Sequence, residues 1–502
     1  MYTDYRDYTG PHHGPTASPG HRTTAAVWLL CLAITALYVF CIPPWTDSDT
    51  ANFSVYLDML IKGQPLPTAA STVPQLLPIL IGGTIWNLTQ SVRALQLASI
   101  TAFATALTCI FVAISRRFGA LAGALVLAGA LSSTRVMLMV LWGRSPTWAF
   151  LFLAIALLVF LHKPADEKRL HLTLLLSLCA TCCRTDLIGL HGTLTALAVL
   201  DAAAGRYWMQ ALRLSLWGLG VLVPPVTDML LAGTPFFTRQ ANAYFIGSRE
   251  AFHIAMHGPE IPMPPSPSAT ALIRKGMRAP GYLFAYTYGL LAIPALAVIH
   301  HRSRKAAIAV LLITGSVALP GVILAWNGFY AARIFIQVHM VLTVLSGIGA
   351  ACLLNGLCRH RRHAATAAIV LATAVMLLQV PAWRAHIRHC RKQAAEFNRH
   401  DRLAQRLAAL PQGLAAPLVV EPAYLTYLYM LRLELGHSEV ISKYDLAHRL
   451  HISGQPPTTL TWIGGEPPQQ TLPRLDIATG TVLIEHDGIR VTACQLRATA
   501  AE

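Results

Sequence analysis

The chain has 502 residues, 54% of them hydrophobic and 12% charged, with a mean hydropathy of +0.50. That balance excludes a disordered chain and an ordinary soluble domain. Lys and Arg number 39 against 23 Asp and Glu, but residues 383–502 hold 13 basic and 11 acidic groups, so the excess, 26 against 12, lies in residues 1–382. Without a Lys/Arg-rich run interleaved with aromatics, the excess reads as membrane topology and contact with lipid phosphate, and not as nucleic-acid binding.

Residues 1–24 mix Pro, Gly, His and Tyr without periodicity and are predicted to form a disordered cytoplasmic tail. The apolar run Ala25 to Ile42 meets Pro43, Pro44 and Trp45 instead of a small-residue cleavage site, which predicts an uncleaved first span. Further spans are predicted at 93–114, 119–140, 146–161, 170–183, 187–203, 214–232, 282–299, 306–326, 334–357 and 364–382, eleven in all. With the N-terminus inside, the inner connections carry Arg116 and Arg117; Lys163, Lys168 and Arg169; Arg206 and Arg213; Arg302, Arg304 and Lys305; and Arg359, Arg361 and Arg362. Every one is basic, as positive-inside topology requires. Counting the apolar Pro74 to Leu88 as a span would put Arg116 and Arg117 outside, so it is predicted to be re-entrant or interfacial.

The expected fold is thus an all-α polytopic membrane bundle of about eleven helices over residues 25–382, with a first outer loop at 43–92 and a large outer loop at 233–281. An odd number of spans places residues 383–502 outside as a small α/β domain. It reads as a polar helix from Arg384 to Leu410, PLVVE, an aromatic-rich helix from Pro422 to Leu435, and strand-like TLTWIG, TVLIEH and IRVTACQL. No Walker or dinucleotide glycine pattern occurs.

Asp47, Asp49 and Asp58 lie in the first outer loop. From Thr50 onward, Phe53, Tyr56, Leu57, Leu60 and Ile61 recur at helical spacing, which predicts a short helix on the membrane surface. Asp47 and Asp49 then either cap that helix or do chemistry at the membrane boundary. Arg135, Arg144, Arg184, Arg239, Arg249, Arg274, Lys275, Arg278 and Arg333 fall on the outer side, which topology should keep poor in cations. Each alone reads as a snorkelling arginine. As a group they read as holding a phosphate-bearing substrate, because an arginine fork binds phosphate bidentately. Arg333 is the sharpest, closing WNGFYAAR where an outer loop enters the tenth span. His253 and His257 in FHIAMHGPE, near Glu250 and Glu260, are a candidate divalent-metal pair. Most of the cysteines lie in or beside spans and read as packing residues. Cys390 and Cys494 fall in the external domain and are the disulfide candidates.

The first span followed by Asp49, Phe53 and Gly63, then VPQLLPIL, VRALQLAS leading into a span that ends SRRFGALAGAL, and GRSPTWAFLFLAIAL resembles, in order and spacing, the C-type membrane glycosyltransferases. That superfamily holds the protein mannosyltransferases and the lipid A aminoarabinose transferase. The resemblance implies a polyprenyl-phosphate-linked sugar donor, an outer-face active site, and a lipid, glycan or protein acceptor. It implies a bacterial inner membrane protein with an extracytoplasmic C-terminal domain. Asp49 maps to the family's base, with Asp47 as understudy; Arg333 with Arg144, Arg184 and Arg274 would hold the departing phosphate. Where many members carry a second acidic residue, GRSPTW offers Arg144 and Ser145, so that role is vacant or moved. No cofactor is implied beyond a divalent metal, which stays open. The rival readings are a lipid-linked glycan flippase or other transporter, and a nonenzymatic envelope-assembly subunit with a degenerate site.

Overall fold

The computed structural model describes residues 19–44, 56–57, 60–63, 76–142, 145–162, 167–232, 291–301, 303–326, 336–358, 361–409, 417–420, 440–442, 458–465, 470–472, 475–486 and 489–498. In chain order the helices are α1 (His21–Phe40), α2 (Leu76–Thr89), α3 (Val92–Phe118), α4 (Ala120–Ser132), α5 (Thr134–Trp142), α6 (Ser145–His162) and α7 (Glu167–Cys183). They continue as α8 (Ile188–Ala204), α9 (Trp208–Ser215), α10 (Val223–Ala232), α11 (Leu291–His301), α12 (Arg304–Trp326), α13 (Ile336–Leu357) and α14 (Arg361–Ala408). Two 3-10 segments, Thr185–Leu187 and Leu216–Leu222, join α7 to α8 and α9 to α10. Among the described residues, six helical stretches are long and apolar enough to cross a membrane. Their outward sides carry large apolar groups, with Leu37 69% and Ile369 67% exposed. Water would penalise such a surface, whereas lipid tails accept it.

Helix α3 is the centre of the bundle, with Ile100, Phe103, Ala106 and Leu107 buried against neighbours on several sides. Phe103 meets Phe150 of α6 at a centroid distance of 5.8 Å. Backbones approach closely where side chains are absent: a Cβ on Gly347 of α13 would lie 2.8 Å from the Val126 nitrogen of α4, and one on Gly349 would collide with the Leu291 carbonyl of α11. Glycine at such crossings lets dispersion contacts replace a hydrophobic drive that lipid does not supply.

The apolar 76–89 stretch is a helix, α2, whose Leu77, Ile81 and Ile85 pack on a cluster that includes Ala102 of α3 and Cys183 of α7. The predicted single span at 119–140 is two helices, interrupted at Ser133 with extended ψ 111°. The break leaves backbone groups that apolar neighbours cannot satisfy. Trp383 Nε1 donates to the Ser132 carbonyl at 2.9 Å, and Ser133 Oγ meets His339 Nε2 at 3.0 Å.

The predicted last span and the polar helix after it are one helix, α14, of 48 residues running through Pro381. Proline removes one internal hydrogen bond and bends a helix, but it does not end one whose flanks pack on both sides. At roughly 1.5 Å per residue α14 is about 72 Å long, more than twice a hydrocarbon core of about 30 Å. Its second half therefore stands outside the membrane and carries the sheet.

The strands are β1 (Leu418–Val420), β2 (Val440–Ser442), β3 (Thr459–Gly464), β4 (Gln470–Leu472), β5 (Leu475–His486) and β6 (Ile489–Ala498), ordered β2-β1-β3-β6-β5-β4. β2, β1 and β3 are parallel, and the other neighbours antiparallel. Leu403, Ala404 and Leu407 of α14 join Leu418, Val420, Val440, Ile463, Ile489 and Val491 in a core continuous with the bundle. The predicted helix at 422–435 lies outside the described residues.

Candidate functional site

The last carbonyls of a helix have no internal partner and carry its negative dipole end. At the end of α1, just before the loop predicted to face outward, these groups are taken by two arginines. Arg93, in the first turn of α3, donates through Nη1 to the Val39 carbonyl at 3.2 Å and through Nη2 to the Ile42 carbonyl at 2.7 Å. Arg391 of α14 donates through Nε to the Cys41 carbonyl at 2.9 Å. The Arg93 guanidinium also lies 5.1 Å from the Phe40 ring centroid and donates to Gln96 Oε1 at 2.9 Å. Gln96 is 1% exposed and passes the connection on through Nε2 to the Leu141 carbonyl, 3.0 Å away at the end of α5.

This network fixes the points from which the loops with the predicted site residues depart. Asp47 and Asp49 follow Ile42, and Arg144 follows Leu141 by three positions. Arg333 precedes α13 by three positions, and His339 in the first turn of α13 bonds Ser133. Asp47, Asp49, Arg144, Arg274, Arg333, His253 and His257 themselves lie outside the described residues. Of the predicted surface helix, Tyr56, Leu57, Leu60 and Ile61 are helical, with Tyr56 1% and Ile61 70% exposed.

Of Arg333, Arg144, Arg184 and Arg274, Arg184 is the one that lies among the described residues. It ends α7, and its fork grips Asp186, with Nε to Oδ1 at 2.9 Å and Nη2 on Oδ2. Both side chains are under one-fifth exposed, so each supplies the counter-charge that makes the other tolerable at that depth. An anion at Arg184 has to compete with Asp186.

Where α14 passes the end of α1, Tyr38 packs edge-on against Trp383 at 5.3 Å and stacks on His386 at 6.1 Å. Burial, with the charge of His389 second, pushes the His386 imidazole down to about 4. Cys390 Sγ lies 3.5 Å from His386 Nε2, and burial raises its thiol to about 11. The expected bridge from Cys390 to Cys494 is not formed, and both are free thiols. The physical reason is their placement: Cys390 turns into the contact between α1 and α14, while Cys494 sits on β6 between Leu460 and Gly480 with its sulfur 3.6 Å from the Thr492 carbonyl. Among the described residues no group of three His, Cys, Asp or Glu side chains converges to hold a metal ion.

Arg93, Gln96, His339 and Arg391 were not singled out by sequence. For Arg93 a signal existed. A cation in the first turn of a helix faces the positive end of its dipole, so it needs an acceptor elsewhere.

No protein-family model matches the chain, and no curated protein matches it in sequence. Solved structures do match. ArnT from Cupriavidus metallidurans bound to undecaprenyl phosphate is 14% identical, with a TM-score of 0.55 over 93% of this chain and 97% of that one. Its apo state gives 0.54 over 93% and 98%, also at 14% identity. The archaeal oligosaccharyltransferase AglB from Archaeoglobus fulgidus, in complex with an inhibitory peptide and a dolichol-phosphate, is 10% identical, with a TM-score of 0.55 over 88% of this chain and 69% of that one. The chain thus has the fold of the C-type membrane glycosyltransferases, and it is a multi-pass membrane protein.

Proposed function

We propose that this chain transfers a sugar from a polyprenyl-phosphate donor to an acceptor at the outer face of a bacterial inner membrane. The supporting observation is a fold shared with ArnT along nearly the whole of both chains, together with the anchoring of α1 beneath the loop that carries Asp47 and Asp49. In this reading the bundle crosses the membrane eleven times and the sheet domain is extracytoplasmic.

The reaction places a base at the attacking oxygen and cations at the departing phosphate. Asp49 takes the proton of the acceptor hydroxyl while that oxygen bonds to the anomeric carbon. The bond from that carbon to the phosphate oxygen breaks, and polyprenyl phosphate leaves with the electron pair. Arg333, supported by Arg144, Arg184 and Arg274, receives its charge. Asp47 stands beside the base, and His253 with His257 is where a divalent ion would be held. Arg93 and Arg391 are positioning residues, since they set the start of the Asp49 loop and touch no reacting atom.

The test is a transfer assay with the purified protein in lipid nanodiscs, a polyprenyl phosphate carrying a radiolabelled hexose or pentose, and an envelope extract as acceptor. Label should leave the lipid for the acceptor. Asp49→Asn should lower the rate by roughly 10²-fold or more, because only the proton-accepting oxygen is lost. Asp47→Asn should be milder. Label that stays on the lipid with the wild-type chain for every sugar tried counts against the transferase, and an Asp49→Asn protein of normal rate moves the base elsewhere.

A further inference from the structure

The extramembranous half of α14 carries Arg384, Arg388, Arg391, Arg399, Arg402 and Arg406. At about 100° per residue these six positions fall within roughly 80° of arc, and they extend over about 33 Å of helix. Arg384, Arg388, Arg391, Arg402 and Arg406 are exposed. The opposite side of the same stretch is spent on packing: Cys390 and Ala394 are fully buried, Phe397 is 7% exposed, and Leu403, Ala404 and Leu407 close on the sheet. Among the described residues no carboxylate pairs with Arg384, Arg388, Arg402 or Arg406, and Asp401 accepts from Gln405 instead.

A solvated helix face mixes both signs of charge along its length. This one is strongly biased to one sign, the arginines and Lys392 meeting a single exposed carboxylate, Glu396, among the described residues, and in the topology proposed above it stands on the side of the membrane where cations are normally depleted. Snorkelling accounts for Arg384 and Arg388, which lie within a turn or two of the end of the span. It does not reach Arg402 and Arg406, about 27 to 33 Å farther along the helix than Arg384. A planar headgroup layer can meet only the foot of such a stripe. An extended chain with anionic groups along its length can meet all of it, and the arginine fork suits carboxylate and phosphate alike. The foot is also placed: Arg391 holds the Cys41 carbonyl where the first outer loop begins.

We propose that the arginine stripe of α14 is a track for an extended acidic glycan, and that this glycan is the acceptor of the transfer. The acceptor role rests on the function proposed above, whereas the binding does not.

The test uses the full chain in phosphatidylcholine nanodiscs and measures binding of an oligogalacturonate of about ten units, with its trimer and a neutral dextran of equal length as controls. The decamer should bind about tenfold or more tightly than the trimer, lose affinity steeply with salt, and outcompete dextran entirely. Arg388→Gln/Arg402→Gln/Arg406→Gln should weaken decamer binding by about tenfold or more and flatten the salt dependence. Lys168→Gln/Arg304→Gln/Lys305→Gln, which removes as much charge from exposed positions elsewhere, should bind as wild type. If the triple stripe variant fails to fold, Arg402→Gln alone should still weaken the decamer measurably. A decamer that binds no better than its trimer overturns the track. So does equal weakening by both triple variants, or a stripe variant that changes only association with phosphatidylglycerol vesicles. Asp49→Asn should bind the decamer normally, so loss of transfer with binding intact bears on the catalytic reading and not on the track.

Discussion

Arg93 sits where the dipole of its own helix opposes it, and three acceptors offset that, the Val39 and Ile42 carbonyls at the end of α1 and Gln96 one turn along its own helix. Lysine would keep the charge but could not span the Val39 and Ile42 carbonyls and Gln96 with one planar fork. Arg93→Lys should therefore lower the turnover of the transfer by roughly tenfold or more while leaving the donor KM near its wild-type value, since it displaces the Asp49 loop without touching the donor. A raised donor KM with unchanged turnover would make Arg93 part of the donor site instead. Arg333 should behave in the opposite way. Arg333→Lys is expected to raise the donor KM appreciably, because a point charge replaces a bidentate contact to phosphate. Unchanged donor titration in Arg333→Ala would reduce Arg333 to a snorkelling side chain.

At the scale of elements, the contact between α1 and α14 couples the membrane bundle to the helix that carries the sheet, through Tyr38, Trp383, His386 and Cys390. His386 ordinarily titrates near 6.5 and is held down to about 4 by burial and by His389. Between these values the unfolded chain binds a proton that the folded contact refuses. Its stability is therefore complete above about pH 6.5 and falls as the pH drops toward 4. Thermal unfolding of the detergent-solubilised protein should show a lower midpoint at pH 5 than at pH 7.5, and His386→Gln should remove part of that difference. An identical pH dependence in wild type and His386→Gln would contradict the assignment.

The same elements show what a sequence can and cannot disclose. Apolar blocks predicted α3, α6, α12 and α13 to within a few residues because a lipid-buried helix writes its length directly into composition. The interruption at Ser133 left no such mark, since the break is stabilised from distant parts of the chain, by Trp383 on the Ser132 carbonyl and by His339 on the Ser133 hydroxyl. The fall in hydropathy after residue 382 suggested two elements where one helix runs on through Pro381. Three strands were legible as strand-like runs, but β1, β2 and β4, three residues each, are too short to show a period. Cys390 and Cys494 were paired by arithmetic, which contains no distance. Arg391 could not be assigned a partner from sequence because its acceptor is a backbone carbonyl 350 positions away.

For the whole molecule, the proposed function requires three things to meet at one end of the bundle: the loop carrying Asp47 and Asp49, the arginines of the other connecting loops, and the helix that leads to the sheet domain. The chain shares its fold with ArnT and AglB, and fold by itself does not assign chemistry. The most direct measurement is a structure of this protein in a nanodisc with a polyprenyl phosphate bound. The account predicts the phosphate within hydrogen-bond reach of Arg333, with the Asp49 carboxylate lining the same cavity at the outer face, above the α1 carbonyls held by Arg93 and Arg391. A phosphate bound at the opposite end of the bundle, or an Asp49 turned away from the lipid into a helix cap, would contradict it.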